Sequence, residues 1–165
     1  MRTPIIVLFS LFVAALPAQG ATVSFYGAGC TYQQPLAIGV QGLPQLGTTV
    51  GITYSGPNLN TSLQVQPVLA LGLGANNIPI PSGILPQQPV GCSVWIDPIV
   101  LYPMPVTTTG LFATRYDFVV PNDPTLTGFV FVGQWLAIAV QCGFVPPCWL
   151  DALPTSDAAL LTVGI

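Results

Sequence analysis

Alternation of apolar and polar positions is the strongest signal in the chain, and it is clearest over residues 110–140. In the run 110–120, Phe112, Thr114, Tyr116, Phe118 and Val120 occupy the even positions, while Arg115 and Asp117 stand at odd ones. Side chains two apart share one face of a strand, so this run predicts a half-buried strand. Pro121-Asn122-Asp123-Pro124 predicts a tight turn, because Pro presets φ and Asn and Asp bond their own backbone. The run 128–140 is apolar on both faces except at Gln134, as expected of a central strand covered on both sides. The whole segment reads as a long β-hairpin.

The same period recurs elsewhere. Over residues 48–54, Val50, Ile52 and Tyr54 alternate with Thr49, Gly51 and Thr53. Residues 63–71 alternate too, but Pro67 within them predicts an edge strand or a bulge. Residues 36–40 and 158–163 predict a first and a last core strand. Residues 92–96 and 99–102 predict two short strands split by Asp97-Pro98. Residues 21–34 read as a short N-terminal segment and 72–89 as a loop rich in Gly, Asn and Pro, while 151–155 follow the Cys142–Cys148 loop without an element of their own. Strand signals spaced by about 10–15 residues, with turns between, predict an all-β fold. The expectation is an antiparallel β-sandwich, jelly-roll or immunoglobulin-like, of about 8 strands.

The N-terminus breaks this pattern. Arg2 precedes an apolar stretch, 5–15, that is too short for the about 20 residues a bilayer span needs. Ala18 and Gly20 supply small residues at −3 and −1. Residues 1–20 therefore predict a secretory signal peptide, and 21–165 a single domain.

Charge narrows the function. Hydrophobic residues make up 52% of the chain and charged residues 4%. Beyond residue 20, Arg115 is the one basic side chain, set against Asp97, Asp117, Asp123, Asp151 and Asp157. Nucleic-acid binding needs several cations on one surface, and so does attraction to an anionic membrane, so both are excluded as partners. The chain has no His, Lys or Glu. That removes Ser-His-Asp and Cys-His nucleophiles, Schiff-base lysines and Ser-Lys dyads. An acid–base pair of aspartates acting on a glycoside remains conceivable among Asp97, Asp117 and Asp123. The plainer reading makes Asp97 and Asp123 turn residues before proline, and Asp117 an ion-pair partner of Arg115.

Four cysteines fit export to an oxidising compartment. Cys142 and Cys148 enclose five residues and are expected to pair, leaving Cys30 for Cys92. No CxxC spacing exists, so no metal and no cofactor is expected. Of the three tryptophans, Trp135 lies in the most apolar strand and reads as core. Trp149 follows the Cys142–Cys148 loop and is the candidate for stacking on a ligand, with Asn122 and Asp123 as further ligand-binding candidates. Asn60-Thr61-Ser62 matches a glycosylation sequon.

Several motifs fall in one order: Gly27-Ala28-Gly29-Cys30, Gly42-Leu43-Pro44-Gln45-Leu46-Gly47, Gly91-Cys92, Pro121-Asn122-Asp123-Pro124-Thr125-Leu126-Thr127-Gly128, Gln134-Trp135 and a terminal run from Ser156 to Gly164. In this the chain resembles a family of secreted β modules abundant in planctomycete-type bacteria, over nearly all of residues 21–165. The resemblance implies an exported β module and implies no activity, since none is established for the family. The chain departs from the pattern at Val90, where Pro is usual, at Leu136, where Ala is usual, and in the Cys142–Cys148 loop, which replaces a stretch often beginning with Asp.

The function expected is a non-enzymatic extracellular or cell-surface module, structural, adhesive or protein-interacting. Its partners would be further copies of itself or other surface proteins, because a charge-poor surface lacks the self-repulsion that keeps molecules apart. The alternative is a carbohydrate-binding module using Trp149, with glycans as partners. An Asp-dependent glycoside hydrolase is a third reading.

Overall fold

The structure, a computed structural model, describes residues 20–32, 34–59, 63–106, 110–142 and 148–165. The expected signal peptide, apart from Gly20, and the sequon lie outside the described residues. In chain order the strands are β1 (Thr22–Tyr26), β2 (Thr31–Tyr32), β3 (Gln34–Pro35), β4 (Ala37–Gln41), β5 (Thr49–Leu59), β6 (Leu63–Pro79), β7 (Ser93–Pro103), β8 (Gly110–Val119), β9 (Val130–Gln141), β10 (Trp149–Ala152) and β11 (Thr155–Thr162). A single 3-10 turn, Pro124–Leu126, lies between β8 and β9.

Nine strands build two antiparallel sheets that stack as a sandwich. The larger has the order β1-β11-β9-β6-β7, with β10 also paired to β9, and the smaller has the order β4-β5-β8. β2 and β3 form a separate two-stranded ribbon.

The core sits where the alternation put it. Val50, Ile52 and Tyr54 point from β5 into the space between the sheets, beside Ile38 of β4 and half-buried Tyr116 and Phe118 of β8. They meet Leu63, Val65 and Leu69 of β6, Phe131 and Trp135 of β9, and Leu161 of β11. Trp135 is fully buried, sets its ring edge-on to Tyr54 at 5.6 Å, and donates its Nε1–H to the Thr53 carbonyl at 3.0 Å. That bond satisfies the only polar atom of an indole in an apolar interior.

The opposite face of β9 is covered too. Val132 packs with Ala70, Ile96 and Ala158 in a second, smaller cluster. Gln134 is fully buried on this face, yet its amide is well satisfied. It accepts from the Trp95 backbone N–H at 2.8 Å and donates to the carbonyls of Ser93 at 3.0 Å and Ser156 at 2.8 Å. The one polar residue in the apolar run thus fastens the start of β7 over the outer face of the large sheet.

Both expected disulfides are present, Cys30–Cys92 and Cys142–Cys148, with Cα atoms 4.9 and 4.3 Å apart. Gly27 is needed just before the first of them. Its φ is 75°, and a Cβ there would meet the Trp95 indole ring, whose Nε1–H donates to the Ala28 carbonyl at 3.0 Å.

Several expectations are corrected. Residues 110–140 do not form a hairpin: β8 pairs with β5 in the small sheet, and β9 lies in the large one. Hairpin loops are usually of two to five residues, whereas here ten residues, 120–129, cross from sheet to sheet, and Phe118 and Phe131 meet ring to ring at 5.2 Å between the layers. Pro67 does not put β6 at an edge; β6 lies between β9 and β7. Residue 67 faces the β7 side beyond the end of that strand, where its carbonyl accepts from Met104 N–H at 2.8 Å, so no bond to β9 is lost. Residues 72–79 are strand rather than loop, held to β7 through three register shifts. Asp97-Pro98 does not split β7; it falls at one of those shifts. Residues 22–26, read as a plain terminal segment, form β1 on the edge of the large sheet, paired to β11. Residues 151–152, to which the pattern assigns no element, close strand β10.

Candidate functional site

The Cys142–Cys148 bridge turns the chain back so that β10 runs antiparallel to the end of β9, with Trp149 opposite Gln141 and Leu150 opposite Val140. A register break before Ala152 leaves Asp151 between the paired residues. Asp151 turns inward and is 5% exposed. Its Oδ2 accepts from the Tyr32 hydroxyl at 2.6 Å, and its backbone carbonyl accepts from Gln87 N–H at 3.0 Å. Burial raises the Tyr32 phenol well above its usual range, and the hydrogen bond and negative charge of Asp151 raise it further. Tyr32 therefore stays neutral and keeps donating to the carboxylate.

Two other walls are fixed from elsewhere in the chain. Tyr32 follows Cys30, and the Cys30–Cys92 bridge brings β2 against the loop that precedes β7. That loop is clamped to the connection between β10 and β11: the Gln88 amide accepts from Leu153 N–H at 2.8 Å and donates to the Leu153 carbonyl at 3.3 Å. Between these walls lies an open groove of about 610 Å³. Trp149, 47% exposed, offers an indole at its side, and Gln87, Gln141, Thr31, Tyr32 and Asp151 offer amide, hydroxyl and carboxylate groups around it.

The other expected ligand residues are not here. Trp149 sits at the Gln141 end of β9, whereas Asn122 and Asp123 belong to the crossing before its Val130 end, some 35 Å away along the strand. Asp123 is engaged in holding the 3-10 turn: its Oδ1 accepts from Thr125 N–H at 2.9 Å and from the Thr125 hydroxyl at 2.8 Å. Those two bonds, the backbone one foremost, lower its carboxyl below the usual value. Asn122 lies against Gly47, in the adjacent turn.

The remaining acids are each placed separately. Asp117 pairs with Arg115 at 2.5 Å on the exposed face of β8, and Arg115 also donates to Gln41 at 2.7 Å. Asp157 Oδ1 accepts from Ile38 N–H at 3.2 Å, tying β11 to β4. Asp97 is exposed at the irregularity of β7. Among the described residues, no three His, Cys, Asp or Glu side chains stand together as a metal site would require.

Tyr32, Gln87, Gln141 and Asp151 were missed as site residues. The signal for them lay in the cysteine pairing. One bridge places residue 32 beside the loop before residue 92, and the other returns residues 149–151 alongside residue 141.

Comparison with protein-family models, with curated proteins and with solved structures finds no match to this chain.

Proposed function

We propose that this chain is an exported, non-enzymatic adhesive module that holds a carbohydrate in the Trp149 groove. The observation that carries the reading is one exposed indole in a groove whose other walls combine amides, hydroxyls and a buried carboxylate with the rings of Pro86 and Pro89. A sugar ring presents C–H groups on one face, which pack on an aromatic surface, and hydroxyls at its rim, which need donors and acceptors together. Gln87 and Gln141 supply both, and Asp151, already oriented by Tyr32, supplies an acceptor. Export is supported by the two disulfides and by the N-terminal sequence. The resemblance to secreted β modules points the same way.

Binding rather than turnover is the reading because the groove has one carboxyl in its walls, where glycoside hydrolysis commonly uses two, about 5–10 Å apart.

The test is a glycan array followed by calorimetry on the best ligand. We expect Trp149→Ala to weaken binding by about tenfold, since stacking of this kind contributes up to about 1.5 kcal/mol beyond the area it buries. Gln141→Ala should weaken it less. Absence of binding to any glycan, or binding unchanged in Trp149→Ala, refutes the assignment.

A further inference from the structure

At the far end of β9 from Trp149 the sandwich is open along one side. β7 is the edge of the large sheet there and β8 the edge of the small one. Between them runs a cleft of about 370 Å³ lined by apolar residues, with Phe118 and Phe131 among the side chains that close it from within. The apolar surface does not stop at the cleft. Leu73, Ile99, Val100 and Phe129 line it and are exposed, Ile99 to 64%, as is Pro121, while Leu71, Phe118 and Leu126 in its walls are half-buried. At such exposures the first four contribute on the order of 100 Å² each and the rest less, about 500 Å² together, which is within the range of the largest apolar patch on a typical monomer.

We infer that this cleft is the docking surface for a second copy of the chain, joined about a two-fold axis. A two-fold contact buries the same patch on both partners. Two such patches remove about 1,000 Å² from water, at the lower limit of a specific interface, which suits a reversible dimer. A small apolar ligand fits these observations less well. It would fill the hollow and leave the rim, Leu73 and Ile99, largely in water. The patch itself contains no charged residue, so a partner that docks through charge finds nothing to pair with. The mode of contact also follows from the sequence. Pro98 and Pro103 bracket residues 99–102, and proline offers no N–H to a neighbouring strand. An extended ladder between two β7 edges is therefore interrupted, and the contact is made by side chains from the lip of one cleft seated in the other.

Sedimentation equilibrium on the disulfide-bonded chain tests this. The wild type is expected to show a monomer–dimer equilibrium that added sulfate tightens, as apolar burial does. Ile99→Ser and, separately, Leu73→Ser should each raise the dimer dissociation constant by at least about tenfold. Both side chains are exposed, so thermal unfolding of a dilute, monomeric sample should be unchanged and serves as the control for folding. Trp149→Ala should leave the dimer intact. A wild type that stays monomeric up to millimolar concentration overturns the inference. So does a dimer indifferent to both substitutions, and so does a monomer whose cleft takes up a fluorescent fatty acid.

Discussion

Gln134 shows how one residue can connect parts of a fold that hydrophobic pattern alone would leave apart. Its run is otherwise apolar, and a leucine would suit the strand equally well. What the glutamine adds is three hydrogen bonds in the interior, two of them to the backbone of Ser93 and Trp95. Those residues begin the strand that covers the second face of β9, and Ser156, the third partner, belongs to β11 on the other side. Gln134→Leu conserves volume but leaves a buried N–H and two carbonyls with fewer partners. Unsatisfied buried groups cost about 1–3 kcal/mol each. Ser93 keeps a second donor in the Thr155 hydroxyl at 3.0 Å, which softens the loss. We expect destabilisation of about 3 kcal/mol, read as a lower guanidinium midpoint at unchanged slope. A loss under 1 kcal/mol would show that the start of β7 is held by packing alone.

Between elements, the two disulfides do unequal work. Cys30–Cys92 closes a span of 62 residues and Cys142–Cys148 a span of 6. Chain entropy alone then assigns them about 4 and about 2 kcal/mol. Both also build the groove, from different walls: the long one holds Tyr32 against the loop before β7, and the short one sets Trp149 beside Gln141. Replacing Cys30 and Cys92 together by serine should lower stability by about 4 kcal/mol and weaken glycan binding. Replacing Cys142 and Cys148 should cost roughly half as much stability while weakening binding at least as strongly. Unfolding curves and calorimetry on the two double variants decide this. The sheet cores were legible at this scale because a covered strand leaves a period-2 trace, as at Val50, Ile52 and Tyr54. The crossing from β8 to β9 was not. Its prolines and Asp123 announce a turn, but turn residues do not say whether the strands they join lie side by side or face to face. The outer half of β6 was hidden for another reason: Gly72, Gly74, Asn76 and Asn77 read as loop, and only the partner strand β7 makes them a strand. The groove was half legible. Trp149 stood out as an aromatic in a polar context, while its companions come from three segments far apart in sequence.

At the scale of the whole molecule, the groove and the apolar cleft lie at opposite ends of β9. That separation matters more than either site alone. A two-fold contact at the cleft covers one end of each sandwich and leaves both Trp149 grooves free at the outer ends. The dimer is then divalent. Toward a soluble oligosaccharide it should behave like two independent sites, with the affinity of the monomer. Toward a surface dense in the same glycan, the second binding event becomes intramolecular, and avidity can exceed the single-site affinity by about 10²–10⁴. Ile99→Ser separates the two regimes. It should leave calorimetric affinity for the soluble sugar unchanged and accelerate release from a glycan-coated sensor by at least about tenfold. The nearly uncharged surface sharpens the comparison, since neither regime has long-range electrostatics to confuse it and retention should vary little with sodium chloride. Equal release rates for wild type and Ile99→Ser, with a dimer present in solution, would mean that the two grooves do not reach one surface together and that the adhesive role belongs to the single site.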